Sequence, residues 1–464
     1  MLVPKKFPVT CHTRHVGPGS TFVAIKGHKT DGNIFIDQAL EAGATTIVVQ
    51  HPFKPCDFLR KHEAKNIIIT MVPNTRQALA TMSSNALGNP AASLKIIGVT
   101  GTKGKTTTTY LIEHILRTNG HKTAMLSGVV NKILDREEES SLTTPESDYL
   151  HMFFAECVKQ GVEYVVMEVS SHALSLYRTH GIMFDATVFT NLALEHLDFY
   201  DTIDQYFAAK MMLFEQVKPE GPIVINADNG WGIQALEKIE ARQPIASSLE
   251  DVIIEHNSLD GLILKIENLA IKTPALFGEF NAENIYQAYL LSTKLGVSPE
   301  IIQQALATFP GVPGRLQAHR LTNGAYALVD YAHNGSSFDA VLSTLLPLTE
   351  NLIVVFGCGG NRDKMRRTLL GHYAAAYADT IIITDDNPRF EKSEAIINDI
   401  LDAIPAEKRS DVICEPDRHK AIARAAALAK PDSIIALLGK GHETSYQVEG
   451  KQYFFNDLQE IKKF

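Results

Sequence analysis

Hydrophobic positions along the chain follow two rhythms. Short runs of apolar, often β-branched residues occur at Leu94–Thr100, Tyr164–Val169, Ala186–Thr190 and Pro222–Asn226, and again at Tyr326–Asp330, Leu352–Phe356, Thr380–Thr384 and Ser433–Leu438. Continuous apolar runs of this length predict strands buried on both faces. Between them apolar residues return at helical spacing. Tyr110, Leu111, Ile115 and Leu116 do so within Lys105–Arg117, which Asn119-Gly120 stops, and Ser393–Ala403 and Arg418–Ala429 read the same way. Strand and helix in alternation predict mostly parallel sheets covered by helices.

The opening segment differs. Its apolar runs (Thr21–Ile25, Thr45–Val49, Asn66–Met71) are short, with one helix expected over Ile34–Gly43, and predict a small α/β domain. Gly88-Asn89-Pro90 and Gly311-Val312-Pro313-Gly314 read as boundaries. The expected fold class is α/β in three domains: a small N-terminal domain over 1–89, a central P-loop parallel-sheet domain over 90–312, and a C-terminal doubly wound, Rossmann-like domain over 313–464. A length of 464 residues suits three domains of about 150 residues each.

Composition narrows the function. A formal net charge of -9 argues against a dedicated nucleic-acid binder or an electrostatic membrane anchor. The local cluster Lys364, Arg366 and Arg367 still allows an anionic small substrate. Met1–Pro8 carries no apolar core after its lysines, so no signal peptide is expected, and the apolar runs are too short to span a bilayer. The five cysteines (Cys11, Cys56, Cys157, Cys358, Cys414) are scattered and form no CxxC pair, which points to neither zinc nor a disulfide framework. A monomer in a reducing cytoplasm is expected, without membrane or nucleic-acid partners.

The strongest chemical signal is Gly101-Thr102-Lys103-Gly104-Lys105-Thr106-Thr107, between a strand ending at Thr100 and a helix starting near Lys105. Glycines let backbone N–H groups approach phosphate oxygens, and the helix N-terminus favours negative charge. Lys105 would reach the β- and γ-phosphates of ATP, and the Thr106 hydroxyl would face Mg²⁺. Val99 stands where the strict pattern has glycine, and an ordinary Gly-containing βα turn is the bland alternative.

Glu168 in Glu168-Val169-Ser170-Ser171-His172 sits at a strand tip, where a carboxylate beside a phosphate loop binds Mg²⁺ directly or through water. His196, in Thr190–Asp198, is a further candidate metal ligand, although a lone histidine is more often structural. Lys210 by itself reads as part of a solvated helix face, and a plain lysine would repel a metal. In the last segment Asp330-Tyr331-Ala332-His333, Gly357–Lys364, Asp385–Arg389 and Gly439-Lys440-Gly441-His442-Glu443 each follow an apolar strand. An open α/β sheet places ligands there. Two arginines and a glutamate among them suit a zwitterion, with cations for carboxylates and the acid for an ammonium.

Together these residues resemble the Mur ligase family, which joins amino acids to the UDP-linked peptidoglycan precursor, and within it the branch that adds the third residue. The resemblance spans nearly the whole chain. It rests on the phosphate loop, with Lys103 where Asn is common, and on Glu168–His172, Gly314-Arg315, Asp330–His333 and Gly439–Glu443. It implies that the first segment binds the UDP end of UDP-MurNAc-dipeptide through Thr13, Arg14, His28 and Thr30. Thr143, Thr144, Ser170 and Arg178 would contact the sugar–peptide part. Asn281 and Asn284 would lie beside the adenine, and Arg315 and Asp330 would reach ATP. Lys210 matches the family lysine that is carbamylated, which makes it an anion and a metal ligand with Thr106, Glu168 and His196.

The form Asp386-Asn387-Pro388-Arg389 resembles the enzymes that add diaminopimelate. The distal carboxylate of that amino acid needs a cation such as Arg389, whereas L-lysine offers an ammonium that would be repelled. Arg362, Gly439 and Glu443 match its other contacts. His12-Thr13-Arg14 departs from the usual Asp-Ser-Arg, and Asn334–Ser337 from Thr-Pro-Asp. The expected reaction is ATP-driven amide formation through an acyl phosphate. The alternatives are a lysine-adding enzyme, a folylpolyglutamate-synthetase-like ligase and a nucleotide-binding regulatory module.

Overall fold

The computed structural model of the protein describes residues 1–27, 30–52, 67–195, 199–362 and 364–464. The chain divides into two compact units. One comprises Met1–Ile253, Lys265–Leu269 and Phe280–Leu306; the other comprises Ile254–Leu264, Ala270–Glu279 and Ala307–Phe464.

In the first unit a four-stranded parallel sheet holds Val9–Thr10, Thr21–Val23, Thr46–Gln50 and Ile68–Val72 in that order. The helix expected over Ile34–Gly43 is a 3₁₀ turn, Gly32–Phe35, leading into Ile36–Glu41. Asp31 explains the tight start, since its side chain accepts the N–H of Asn33.

The same unit contains an eight-stranded sheet in the order Ile245–Ser247, Ile223–Asn226, Ala186–Phe189, Lys95–Thr100, Tyr164–Glu168, Thr123–Leu126, Val130–Ile133, Arg136–Glu139. All neighbours are parallel except the last two pairings. The Lys95–Thr100 strand is central and apolar on both faces, from Ile96 to Val99. The other strands of the sheet all follow it in sequence and are divided between its two sides, Tyr164–Glu168 next to it on one and Ala186–Phe189 on the other, so the turn after Thr100 opens at the point where the connections diverge. The Val130–Glu139 hairpin escapes an apolar-run search because its outer strand, Arg-Glu-Glu-Glu, is mostly exposed. Charge suits an edge strand, which must discourage pairing with another chain.

In the second unit a six-stranded sheet runs Gln317–Arg320, Tyr326–Asp330, Ile434–Leu438, Leu352–Phe356, Thr380–Ile383, Val412–Cys414. It is parallel except at its first pairing. One side is packed by Phe338, Leu342, Leu370 and Ile400, and the other by Ala421, Ile422, Ala425 and Ile461. This is the doubly wound arrangement expected from the alternation. A hairpin, Ser445–Val448 with Lys451–Phe454, follows the Ile434–Leu438 strand. A three-stranded sheet spans Val252–Ser258, Gly261–Ile266 and Leu269–Thr273. Among the described residues no helix is long and apolar enough to cross a membrane.

Candidate functional site

The phosphate loop is held by the tip of the neighbouring strand. The N–H of Thr102 donates to the Asn191 carbonyl at 2.9 Å, and the Lys103 N–H donates to the Asn191 side chain at 2.9 Å. Thr190 Oγ1 donates to the Lys103 carbonyl at 2.5 Å. Gly101 has φ of +146°, and a Cβ there would overlap the Thr190 hydroxyl. Only glycine suits both the backbone and the space. Gly104 precedes the Lys105–Thr118 helix with φ of +82° against Asn284. Asn284 accepts from Thr108 Oγ1 at 3.2 Å and donates to Asn281 at 3.2 Å, which ties both buried asparagines to this helix.

Two lysines meet inside the loop. Lys105 Nζ donates to the carbonyls of Gly101 (3.0 Å) and Thr102 (2.8 Å), and Lys210 Nζ donates to the Gly101 carbonyl at 2.7 Å. Lys210 is 1% exposed and lies over the Tyr206 ring at 4.4 Å. Burial, reinforced by the Lys105 ammonium, holds its pKa well below the ordinary lysine value. The solvated face expected for Lys210 from its sequence context is therefore a buried one. The Ile203–Glu215 helix is apolar on more sides than its spacing suggests, and Tyr206, Phe207, Ala209, Leu213 and Phe214 are buried with it.

Glu168 joins two groups of residues. Its Oε1 accepts from Thr106 Oγ1 at 2.8 Å and from the Gly128 N–H at 2.7 Å. Its main-chain carbonyl accepts from Thr144 Oγ1 at 2.9 Å. Thr144 Oγ1 in turn takes the Ser170 N–H at 3.0 Å, and Arg178 donates to the Thr144 carbonyl at 2.8 Å while pairing with Glu146 at 2.7 Å. The Arg178 Nε is buried without a partner. Thr143 precedes this cluster directly in the chain. Thr13 lies in a 3₁₀ turn, and Thr30 closes a turn onto Gly27 at 2.9 Å. His28 and His196 lie outside the described residues.

A hydroxyl and a carboxylate at 2.8 Å are hard oxygen donors of the kind Mg²⁺ takes alongside phosphate and water. Among the described residues no group of three or more His, Cys, Asp or Glu side chains is arranged to hold a metal.

In the second unit the four motifs gather at the carboxyl ends of the parallel strands. Asp330 accepts the N–H groups of Leu316 and Ala332, each at 2.7 Å, which fixes the turn carrying Arg315. The Arg315 guanidinium lies over Tyr331 at 4.9 Å. Arg389 has φ of +56°, unusual for a side chain of its size, and the hairpin holds it there. Its N–H donates to Gln447 and its carbonyl accepts from Glu449, at 2.9 and 2.6 Å. Its guanidinium donates to the Gly360 carbonyl at 2.7 Å. A Cβ on Gly359 would press on that guanidinium at 2.8 Å and lie 3.6 Å from Arg362 Cγ, so the two arginines flank one glycine. Asn387 donates to Asp386 at 2.8 Å and to Glu443 at 3.2 Å. Burial pushes the Glu443 carboxyl up, against the pull of Lys440. Gly439 has φ of +105° beside Asp386. Pro388 completes the turn, its carbonyl accepting from Glu391 at 3.0 Å.

Asn191, Thr190, Tyr206 and Gln447 shape these sites; the first two were read only as part of the Thr190–Asp198 stretch around His196, and Tyr206 and Gln447 were not singled out. Asn191 and Thr190 carry the positional signal of following a strand; Tyr206 lies in an apolar helix and gives none.

A phosphate loop on one α/β sheet and a strand-end cluster of arginines and carboxylates on another define a nucleotide-using α/β enzyme. Residues 8–86 match the Mur ligase family catalytic domain, 99–292 the Mur ligase middle domain and 314–441 the Mur ligase glutamate ligase domain. The chain is 37% identical to the UDP-N-acetylmuramoyl-L-alanyl-D-glutamate–2,6-diaminopimelate ligase of Clostridium tetani, over 97% of this chain and 93% of that one. It is also 37% identical to the enzyme of the same name from Aquifex aeolicus, over 98% and 92%. A solved structure of a ligase of that name superposes with a TM-score of 0.66 at 28% identity, covering 99% of this chain and 94% of the other. This chain belongs to the Mur ligase family and is a ligase.

Proposed function

We propose that this enzyme uses ATP to join meso-diaminopimelate to UDP-N-acetylmuramoyl-L-alanyl-D-glutamate. Glu168 carries the proposal. Its side chain meets Thr106 in the phosphate loop, and its main chain meets Thr144 in the cluster with Ser170 and Arg178. An acyl phosphate forms only where the γ-phosphoryl group and a carboxylate meet, and two sites sharing one residue support that juxtaposition.

A carboxylate oxygen of the D-glutamyl residue attacks the γ-phosphorus, and ADP leaves. The amine of diaminopimelate then attacks the acyl carbon, loses a proton, and inorganic phosphate departs with the former carboxylate oxygen. Lys105 turns from the loop carbonyls to the phosphates and holds their charge. Thr106 and Glu168, with His196 and a carbamylated Lys210, are the residues that would hold Mg²⁺. Bound there, Mg²⁺ would offset charge on the transferring phosphoryl group. Arg178, with its unpartnered Nε, offers a donor to the anionic end of the dipeptide. Asn281 and Asn284 stand beside the loop for the nucleotide, with Arg315 and Asp330 as further ATP contacts. Arg389 and Arg362 take the distal carboxylate of diaminopimelate, and Glu443, with Asp386, Asn387 and Gly439 around it, takes an ammonium.

The labour falls to three domains, 1–89 for the UDP end, 90–312 for ATP and 313–464 for the amino acid. The enzyme is read as a cytoplasmic monomer. Mixing it with ATP, Mg²⁺, the UDP-linked dipeptide and diaminopimelate should give the UDP-linked tripeptide by mass spectrometry. Absence of that product, with ATP intact, contradicts the proposal.

A further inference from the structure

Lys440 is the most enclosed cation of the strand-end face in the second unit, with no exposed surface. A lysine held this way must satisfy its ammonium inside the protein. Its Nζ donates to Glu443 Oε2 at 3.2 Å and to the Ser445 carbonyl at 2.8 Å. The first contact fixes a carboxylate that is itself partly open, at 31% side-chain exposure. The second fixes the first residue of the Ser445–Val448 strand. That strand supplies the Gln447 carbonyl that accepts the Arg389 N–H at 2.9 Å. The Gln447 N–H donates to Asn387 Oδ1 at 3.0 Å, and Asn387 Nδ2 returns to Glu443 Oε2 at 3.2 Å. The contacts close a ring: Lys440, Glu443, Asn387, Gln447, and back through the strand to Ser445.

We propose that Lys440 is a positioning residue for amino-acid recognition, aiming the Glu443 carboxylate and, through Ser445, the turn that presents Arg389. This rests on the assignment of Glu443 and Arg389 to the amino-acid substrate. Lys440 touches no reacting atom. It keeps an acidic and a basic contact at a fixed separation, which a zwitterion with two carboxylates and two amines requires. Asn387 alone leaves Glu443 one neutral donor and leaves the Ser445 carbonyl without its ammonium.

The test is a double-mutant cycle on Lys440→Met and Glu443→Gln, reading KM for diaminopimelate, KM for ATP and kcat. Lys440→Met should raise KM for diaminopimelate on the order of tenfold, with KM for ATP unchanged. The double variant should be less impaired than the product of the two single effects, because both changes remove the shared Lys440–Glu443 contact. Independent, multiplicative effects would overturn the proposal, as would an unchanged KM for diaminopimelate in Lys440→Met. If Lys440→Met does not fold, Lys440→Gln, which keeps a donor without the charge, takes its place: a raised KM for diaminopimelate supports the proposal and an unchanged one overturns it. Wild-type turnover with L-lysine in place of diaminopimelate would overturn the substrate assignment instead, and the same cycle read on KM for L-lysine would then decide the role of Lys440.

Discussion

Lys105 and Lys210 meet at a single atom: both ammonium nitrogens point to the Gly101 carbonyl, at 3.0 and 2.7 Å. Two cations cannot share a buried carbonyl cheaply. Burial together with Lys105 keeps Lys210 well below its ordinary pKa, so it is the readier of the two to give up its proton. A neutral amine is the form that adds carbon dioxide, and the resulting carbamate is an anion beside Lys105, which replaces repulsion by attraction.

Carbamylation of Lys210 should therefore be observable. Protein equilibrated with ¹³C-bicarbonate should show a carbamate carbon signal that Lys210→Arg lacks, and carbon-dioxide-depleted buffer should lower activity reversibly. No signal and no dependence would leave Lys210 as a buried amine.

Lys105→Ala should lower kcat by at least about 10³-fold, as expected for loss of a cation on a transferring phosphoryl group. The fold should persist, because the Lys105 ammonium donates to the Gly101 and Thr102 carbonyls of its own loop. Steady-state kinetics with circular dichroism on the same sample checks both parts.

Arg389→Ala should cost about 3 kcal/mol of diaminopimelate binding, on the order of 100-fold in KM. The KM for ATP should stay level, since Arg389 is held by the Gly360 carbonyl and the hairpin. An equal loss for both substrates would mean that the turn had collapsed rather than lost a contact.

His151 offers a test of stability against pH. It is 1% exposed, and neither ring nitrogen has a partner. Burial pushes its pKa down to about 4. The unfolded chain takes up this proton below about 6.5, while the folded chain resists until about 4. Stability from this group is thus complete above pH 6.5 and is lost as pH falls toward 4. Wild type should lose about 2 kcal/mol relative to His151→Leu between pH 7 and pH 5, measured by denaturant unfolding. A parallel decline in both proteins would contradict this.

Much of this was legible in the chain. The Tyr326–Asp330 and Leu352–Phe356 strands were readable to the residue because buried parallel strands are uninterrupted apolar runs. The phosphate loop was readable because its glycines and lysine are fixed by backbone geometry. The hairpin Ser445–Phe454 was not, because its residues are half-buried or exposed and carry no apolar run. Yet that hairpin clamps Arg389. Lys210 was misplaced for the converse reason: a lysine in an apolar helix looks like its solvated edge, and only packing shows that it points inward.

Phosphate release from ATP tests the central claim most directly. It should be measured with UDP-N-acetylmuramoyl-L-alanyl-D-glutamate alone, with diaminopimelate alone, with both, and with L-lysine replacing diaminopimelate. Sustained release only when the dipeptide and diaminopimelate are both present is the expected result. Release that needs neither, or that proceeds equally well with L-lysine, would contradict the account.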